Sequence, residues 1–371
     1  MPSNRAEPVF DIAIIGAGPA GAAAALTLRQ AAPGLAVLLV EAETTPRPRV
    51  GEVLPAAGMG LLHRLGAAEV VAPACRPSAG MLSIWGGAEI VERPALLSAR
   101  GADRHLDRGL FDHLLAEAAG ARHGQKVASV EPDGPGWRLA IGGCDTARAR
   151  FVIWATGKRR TLLKATGARL QNFDRLVGYL RYFAEPSVGD ARTLLEADPD
   201  GWWYAAALPG GMRGIAFMTD ADLGRSLGLA DAMAWQERLD GTTLIGRDLQ
   251  WGGRGGPPHC GDSLRSEICA AGSSLLDPAC GPNWIAAGDA ASVYQPLAAH
   301  GITKALRTGC FAAYAAIDTL AGRGEVALAR YAGLIRRDFA AYRQSLAGHY
   351  AAERRWPDRP FWARRRAAEA A

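Results

Sequence analysis

A glycine-rich turn between a short apolar strand and a helix constrains this chain more than any other stretch. Residues 11–15 read Asp-Ile-Ala-Ile-Ile, the composition of a buried parallel strand, and a helix is predicted over residues 22–29. Between them, Gly16, Gly18 and Gly21 form a G-x-G-x-x-G pattern. Gly16 permits the tight turn, Gly18 lets a pyrophosphate approach the backbone, and Gly21 lets helix and strand pack closely. The helix N-terminus adds free N–H groups and a positive dipole end for a phosphate.

Glu41 ends the next predicted strand, residues 36–40, and follows Gly21 by 20 residues. A carboxylate at this distance suits the ribose hydroxyls of an adenine dinucleotide. The alternative is a purely structural turn, with Glu41 as a solvated charge at the strand end. Because strand, turn, helix, second strand and acid occur in the required order, we predict a dinucleotide-binding unit.

The composition is that of a globular enzyme. The 371 residues are 49% hydrophobic and 21% charged, enough for one large domain or two interleaved ones. No apolar stretch of membrane-spanning length lacks glycine turns and charges, so we expect a cytoplasmic protein without stable membrane insertion. The formal net charge of +5 comes from residues 323–371, with 11 Arg and five acidic residues. We interpret this excess as a solvated helix face, and no nucleic-acid motif accompanies it.

The six cysteines are widely scattered in the sequence. They form no C-x-x-C pair and no Cys/His ligand cluster, which predicts reduced thiols and no metal site. They are Cys75, Cys144, Cys260, Cys269, Cys280 and Cys310.

Two charged residues are notable in the segment after the nucleotide-binding unit. Glu52 lies in a proline-bracketed loop before a helix predicted over residues 56–65, and it is either a surface charge or a site carboxylate. Arg108 falls in the first turn of an amphipathic helix predicted over residues 105–119, where the helix dipole disfavours a cation. We therefore expect an anionic partner for Arg108, with a solvated arginine as the alternative.

The middle of the chain changes from buried strand to alternating β pattern. A strand over residues 151–155 ends in a sharp turn at Gly157, and short runs between residues 177 and 219 predict an antiparallel sheet on the substrate side. The sheet carries three adjacent aromatic residues, Trp202, Trp203 and Tyr204. These belong either to the sheet core or to a substrate platform.

The C-terminal third returns to the nucleotide-binding pattern. A small-residue strand from Trp284 runs into Gly288-Asp289, and long helices are predicted over residues 302–320 and 326–346. Because nucleotide-binding segments lie at both ends of the sequence, the domains must be interleaved. We predict a discontinuous cofactor domain over 9–80, 103–170 and 262–320, a substrate-side sheet domain over 81–102 and 171–261, and a C-terminal helix and tail over 321–371.

With these motifs in view, the chain resembles the FAD-dependent monooxygenase and reductase superfamily of the p-hydroxybenzoate hydroxylase type. The matching stretches are the glycine motif with Glu41, Arg108-x-x-x-Asp112, Ala155-Thr-Gly157, and Gly288-Asp289 followed by Pro296 and Gly301. The resemblance implies an α/β fold. In that fold an FAD-binding Rossmann-like domain of the GR2 type is interleaved with an antiparallel substrate sheet, and C-terminal helices follow.

The resemblance also implies roles for individual residues. Glu41 would bind the adenosine ribose, Arg108 the phosphate or ribityl region, and Asp289 the ribityl or pyrophosphate region. The helix after Gly301 would direct N–H groups towards the flavin pyrimidine. The full implied cofactor set is Gly16, Gly18, Ala20, Gly21, Glu41, Ala42, Arg49, Arg108, Val127, Ala155, Gly157, Gly288, Asp289, Pro296, Gly301 and Ile302.

Within the superfamily the loop Gly51-Glu52-x-Leu54-Pro55 looks most like the tryptophan-halogenase-related branch. Halogenases of that branch use a lysine past this loop, whereas the first lysine here, Lys126, falls in a different element. Their W-x-W-x-I-P signature is also absent, so halogenation is disfavoured. The short length and the loop resemble LodB-like flavoproteins of tryptophylquinone maturation, and a geranylgeranyl-reductase-like activity stays open because its motifs overlap.

The resemblance implies an FAD monooxygenase in which NAD(P)H reduces the flavin and oxygen is transferred to an aromatic ring, a tryptophan side chain of a partner polypeptide. His300 and Glu52 are the candidates for proton handling, with a hydrogen-bonded structural histidine as the alternative for His300. Trp202, Trp203 and Tyr204 would line the substrate side, and the Arg-rich C-terminal segment would dock an acidic surface of the partner. The alternatives are an isoprenoid reductase and a non-catalytic flavin-containing assembly factor.

Overall fold

The computed structural model describes residues 7–46, 51–99, 101–142, 145–184, 191–246, 250–251, 254–255 and 263–367. These residues form a largely parallel sheet, a second large sheet, three small sheets and the helices that cover them. The predicted α/β class, with a nucleotide-binding domain, a separate substrate-side sheet and C-terminal helices, is confirmed.

The first sheet contains the predicted nucleotide-binding strands. Its parallel strands lie in the order β2 (Val37–Val40), β1 (Val9–Ile15), β10 (Asp145–Trp154) and β21 (Trp284–Ala286), and β20 (Cys280–Gly281) adds an antiparallel edge. The hairpin of β8 (Val127–Asp133) and β9 (Gly136–Ile141) extends from β10. Residues 12–15 are at most 4% exposed, as expected for a strand covered on both faces.

Helices α1 (Pro19–Ala31) and α7 (Gly301–Asp318) pack against each other beside this sheet. A Cβ atom at Gly309 would lie 2.1 Å from the carbonyl oxygen of Ala20, so only glycine permits this close backbone contact. Helix α8 (Gly324–Ala352) follows a kink at Gly322, whose φ is +82°, and it continues six residues past the predicted end. Shorter helices precede β8: α2 (Ala56–Arg64), α3 (Ala68–Val71) and α4 (Arg108–Ala118).

The second sheet is the predicted substrate-side sheet. Its strand order is β18 (Arg265–Ala270), β12 (Leu176–Ala184), β15 (Met212–Asp220), β14 (Gly201–Leu208), β13 (Thr193–Asp198), β5 (Gly80–Ile84) and β6 (Val91–Pro94). Neighbouring strands are antiparallel except β13 and β5, which are parallel. Strand β18 lies within the 262–320 segment that the sequence assigned to the cofactor domain, yet it pairs with β12.

Different elements cover the two faces of the second sheet. One face packs against α6 (Ala232–Asp240), whose Trp235 is fully buried, and α5 (Ala221–Ser226) follows directly after β15. The other face packs against the end of α8 and against α9 (Pro360–Ala367), through Tyr350, Phe361 and Trp362. Since side chains alternate along a strand, neighbouring residues of one strand lie on opposite faces.

A small sheet of β3 (Val53–Leu54), β7 (Arg104–Leu106) and β4 (Cys75–Pro77) joins the two regions. Helix α4 begins three residues later than predicted, because His105 belongs to β7 and Asp107 caps the helix by accepting the N–H of Leu110 (3.0 Å). His105 is fully buried, with Nδ1 2.8 Å from the Ala207 carbonyl oxygen and Nε2 2.8 Å from the Thr193 hydroxyl. Burial lowers the pKa of His105 to about 4.

The remaining strands form two further small sheets. They are β11 (Arg169–Asn172), β19 (Ser274–Asp277) and β22 (Ser292–Val293) in one, and β16 (Gln250–Trp251) and β17 (Arg254–Gly255) in the other. Within the described ranges, no helix is long and apolar enough to cross a membrane.

Candidate cofactor and active site

The turn between β1 and α1 is built for a ligand that approaches the backbone. Gly16 has φ +97°, and a Cβ atom there would lie 2.5 Å from the carbonyl oxygen of Ala155. A Cβ atom at Gly21 would lie 1.9 Å from the Gly16 oxygen, whereas one at Gly18 would meet no atom within 4 Å. Gly18 therefore faces open space, and α1 begins there without a side-chain cap. Free N–H groups beside open space fit an anionic diphosphate.

Glu41 lies at the end of β2 and holds the neighbouring loops. Its carboxylate accepts the N–H groups of Ala17 (2.8 Å) and Glu43 (3.1 Å). A cleft beside it is lined by Gly18, Glu41, Glu43, Pro46, Asp112 and His123. The cleft connects the glycine turn with the end of β2, the place that the sequence predicted for the adenosine half of the cofactor.

Three other predicted cofactor residues have less defined surroundings. Ala42 is exposed next to Glu41, and Val127 is buried at the start of β8, close to the segment whose Gln125 N–H donates to the Glu41 carbonyl (2.9 Å). Arg49 lies outside the described residues.

A second turn follows β10 and meets the first. The Ala155 N–H donates to the Ile15 carbonyl (2.9 Å), and Gly157 has φ +61°. The buried hydroxyl of Thr156 has no hydrogen-bond partner within the described part of the chain. A buried hydroxyl without a partner is costly, so its position beside the glycine turn is consistent with a bound cofactor.

The Gly288-Asp289 turn closes the same side of the sheet. Gly288 has φ +62°, and its N–H donates to the hydroxyl of Thr308 on α7 (2.9 Å). Asp289 Oδ1 accepts a hydrogen bond from the ammonium of Lys304 (2.7 Å), which is 3% exposed, whereas the Asp289 side chain is 35% exposed. Although burial acts in the opposite direction, Lys304 and more distant cations hold the pKa of Asp289 below its ordinary value. Sequence reasoning missed Lys304; its one signal is a lysine near the start of a mostly apolar helix.

The N-terminus of α7 is open. His300 precedes Gly301 as the N-cap residue without a side-chain cap, and Pro296 is exposed in the preceding turn. The Ile302 side chain is 5% exposed and packs into the core, so only its backbone N–H can contact a cofactor. His300 itself is exposed, and its pKa is lowered by partial desolvation and by the positive charge of nearby basic groups.

The anionic partner expected for Arg108 is Asp112, one helical turn later. Arg108 Nη2 lies 3.1 Å from Asp112 Oδ2, and Nη1 donates to the Gly51 carbonyl (3.0 Å). Both charged side chains are largely buried. Arg108 therefore ties the Gly51-Glu52 loop to α4 and places Glu52 at the boundary with the second sheet.

Glu52 is the buried carboxyl group of that boundary. It is 4% exposed, its Oε1 accepts the Tyr182 hydroxyl of β12 (2.6 Å), and its Oε2 accepts the Gly51 N–H (3.0 Å). Burial raises the pKa of Glu52, and the Tyr182 hydrogen bond opposes that rise. The buried hydroxyl of Tyr204 has no hydrogen-bond partner among the described residues, and its pKa is raised by burial and by the Glu52 charge.

The structure does not bring the three predicted substrate aromatics together. Tyr204 and Trp202 lie on the sheet face covered by the C-terminal helices, where the Trp202 N–H donates to the Tyr350 hydroxyl (3.2 Å). Trp203 lies on the opposite face against Trp235, with ring centroids 5.3 Å apart. Trp203 is thus a core residue, the alternative that sequence reasoning had left open, because β14 alternates its side chains between the two faces.

Three arginines of the C-terminal tail form ion pairs within the chain. Arg359 lies 2.5 Å from Asp200, Arg365 lies 2.9 Å from Asp220, and Arg364 lies 2.6 Å from Asp222. These acids belong to the substrate-side sheet region. These three arginines therefore hold the tail against the sheet.

Glycine turns at the strand ends of one parallel sheet, with a carboxylate at the end of the neighbouring strand and a second sheet beside it, are typical of dinucleotide-dependent flavoproteins. Residues 9–202, more than half of the chain, match the FAD binding domain family, so the chain belongs to that family and its cofactor is FAD. The prediction of an FAD-dependent oxidoreductase is confirmed.

Individual relatives extend this comparison. The chain is 28% identical over 370 residues to the putative FAD-dependent oxidoreductase LodB of Marinomonas mediterranea, covering 96% of this chain and 97% of the relative. It is 28% identical over 321 residues to the menaquinone reductase of Mycobacterium tuberculosis, covering 82% and 75%. The solved structure of QhpG, a peptidyl tryptophan dihydroxylase essential for tryptophylquinone cofactor biogenesis, superposes with a TM-score of 0.76 at 24% identity. That match covers 97% of this chain and 79% of QhpG.

Proposed function

We propose that this protein is an FAD-dependent monooxygenase that hydroxylates an aromatic ring, the side chain of a tryptophan in a partner polypeptide. NAD(P)H would supply two electrons, one oxygen atom of O₂ would enter a ring C–H bond, and the other would leave as water. The bound flavin would carry the oxygen chemistry, and the protein would supply position, charge and exclusion of water. The likeness to LodB, a putative FAD-dependent oxidoreductase, over nearly the whole of both chains supports the FAD-dependent redox chemistry. The likeness to QhpG, a peptidyl tryptophan dihydroxylase, supports the choice of a tryptophan side chain.

The observation that carries the proposal is the buried Glu52–Tyr182 pair. A ring carbon that gains a hydroxyl group must lose its proton, and a positioned carboxyl group can accept it. Glu52 comes from a loop tied to the cofactor domain through Arg108, and Tyr182 comes from the substrate-side sheet. The pair therefore lies where the cofactor and the substrate would meet.

Other residues of the chain would prepare the site. The glycine turn and the N-terminus of α7 would bind the anionic parts of FAD, and Asp289 would accept hydrogen bonds from cofactor hydroxyl groups. The hydroxyl of Tyr204, which has no hydrogen-bond partner among the described residues, would hydrogen-bond the substrate. His300 is the second candidate for proton transfer, at the exposed end of α7.

Reconstitution with a candidate partner tests the proposal. The purified protein with FAD, NADPH and O₂ would be incubated with the polypeptide encoded beside its gene, and intact mass would be measured. We expect a gain of about 16 or 32 daltons, for one or two oxygen atoms. The same mixture without O₂ is the control, and an unmodified partner in the aerobic sample would contradict the proposal.

A second candidate is a reductase of isoprenoid or quinone double bonds, favoured by the similarity to the menaquinone reductase. It predicts substrate turnover without O₂ and no oxygen in the product. A non-catalytic assembly factor would instead form a stable complex with the polypeptide and leave its mass unchanged. The aerobic and anaerobic samples separate these two from the monooxygenase.

A further inference from the structure

We propose that Lys304 is a positioning residue for FAD: it is the counter-ion that allows the Asp289 carboxylate to lie beside the anionic cofactor. This inference rests on FAD binding and is independent of the substrate. It concerns a residue that neither the glycine motif nor the Gly-Asp turn includes.

The ammonium group of Lys304 is buried and fully engaged by nearby groups of the Gly288-Asp289 turn region. Its ammonium donates to Asp289 Oδ1 (2.7 Å) and to the carbonyl oxygen of Ser292, and it lies 5.0 Å from the centre of the Tyr294 ring. Its side chain is 3% exposed. The Asp289 side chain keeps 35% of its surface exposed, so the carboxylate is accessible from outside the turn whereas the ammonium is not.

The charges explain why a counter-ion is needed. A carboxylate that faces a diphosphate is repelled by it, most strongly where water is excluded. The ammonium of Lys304 neutralises the Asp289 carboxylate by direct contact. The more distant Lys158 and Arg108 also lower the pKa of Asp289. A neutralised carboxylate keeps its hydrogen-bond acceptors for hydroxyl groups of the cofactor while losing most of its repulsion.

The same face of α7 provides a matched control. Thr308, one turn after Lys304, accepts the Gly288 N–H (2.9 Å) and so supports the same turn without a charge. If Lys304 acted only by holding the turn in place, its replacement would resemble the replacement of Thr308. If Lys304 acts as a counter-ion, its replacement leaves the Asp289 carboxylate to repel the diphosphate, and removal of the Asp289 charge relieves this repulsion. Replacement of Thr308 creates no such repulsion.

The test is a double-mutant cycle on the FAD dissociation constant of the apoprotein. The variants are Lys304→Met, Asp289→Asn, the double variant Asp289→Asn/Lys304→Met, and Thr308→Val as control. We expect Lys304→Met to weaken FAD binding about 10- to 100-fold, which is typical of a lost charge-assisted contact. The double variant should bind FAD more tightly than Lys304→Met alone, because the unpaired carboxylate is gone.

Lys304→Met has a possible folding defect, because it leaves Asp289 without its partner. The double variant avoids this, since it carries a neutral pair, and thermal unfolding of each apoprotein identifies variants that do not fold. An unchanged FAD affinity in Lys304→Met would overturn the proposal. The proposal would also be overturned if the double variant bound FAD more weakly than Lys304→Met by the same factor that Asp289→Asn alone causes. The same holds if Lys304→Met and Thr308→Val gave equal results in every measurement.

Discussion

Two regions of the molecule are built in different ways: the cofactor cradle, which is the glycine turn at residues 16–21, and the Glu52 cluster, which is the contact of Glu52 with Tyr182. In the cradle, Gly16, Gly18 and Gly21 act through the backbone, and Gly21 packs against Gly16 of the same motif. In the Glu52 cluster, side chains meet across 130 positions of the sequence, from Glu52 to Tyr182. A site formed by the backbone can therefore be recognised from the local spacing of residues in the sequence, whereas a site formed by side chains exists only after the sheets have packed.

Substitution of Gly18 should have the largest effect, and only on the cradle. Gly18→Asp places a carboxylate in the open space at the predicted diphosphate position, at a cost of about 4 kcal/mol for charges about 4 Å apart at a protein surface. We expect FAD affinity to fall about 1,000-fold, as measured by fluorescence titration of the apoprotein.

The matched control for this prediction is Gly34→Asp. Gly34 is exposed after α1, and a Cβ atom there also meets no atom within 4 Å. This control should bind FAD normally. Equal FAD affinities in the two variants would place the diphosphate elsewhere.

The small sheet of β3, β7 and β4, which joins the two regions and contains His105, should make the free energy of unfolding fall in acid. His105 is fully buried, and its pKa is lowered from 6.5 to about 4, so the unfolded chain binds the proton more readily. The contribution of His105 to the free energy of unfolding is complete above pH 6.5. About 3 kcal/mol of it is lost as the pH falls towards 4. Urea unfolding of the wild type should show this loss, and His105→Gln should not.

Exposed His63 provides the control for the junction, since His63→Gln should keep the pH dependence of the wild type. Parallel stability curves for the wild type and His105→Gln between pH 6.5 and 4 would show that His105 is not the titrating group.

Substitution of Glu52 should separate chemistry from cofactor binding. Glu52→Gln keeps the shape and an oxygen that can accept the Tyr182 hydroxyl, but it cannot take a proton. We expect turnover to fall about 100-fold or more, with FAD affinity unchanged. His300→Ala should have a smaller effect, because His300 is exposed; the reverse order would move proton transfer to the end of α7.

Tyr182→Phe should have the smallest effect, through the pKa of Glu52. The Tyr182 hydrogen bond lowers that pKa against the effect of burial, so its loss raises the pKa further. The limb of the pH profile of kcat/KM that reports Glu52 should move to higher pH. The loss of one hydrogen bond should lower the free energy of unfolding by about 1 kcal/mol. A limb that stays in place would mean that Glu52 does not control the profile.

The sequence predicted the elements that depend on local patterns. The glycine turn, Glu41 at the end of β2, and the Gly288-Asp289 turn lie at the ends of parallel strands of one sheet, as expected. Spacing predicts these positions because a short strand, a turn and a helix allow few backbone paths.

Residues whose role depends on tertiary contacts could not be predicted. Tyr182 and Lys304 have no neighbouring motif, and they acquire their contacts only when β12 and α7 pack. Trp203 looked equivalent to Trp202 in the sequence, but strand alternation separates them onto opposite faces of the sheet. His105 was placed in a helix, because its role in β7 depends on pairing with β3 and β4.

The central claim is that FAD bound in the cradle delivers oxygen to a substrate beside Glu52. The most direct measurement is the intact mass of the partner polypeptide after turnover under ¹⁸O₂, with wild-type protein and with FAD-loaded Glu52→Gln. We predict that the wild type adds about 18 daltons per oxygen atom and that Glu52→Gln adds little or nothing. A partner that is unmodified, or that gains only unlabelled oxygen, with FAD-loaded wild-type protein would contradict the account.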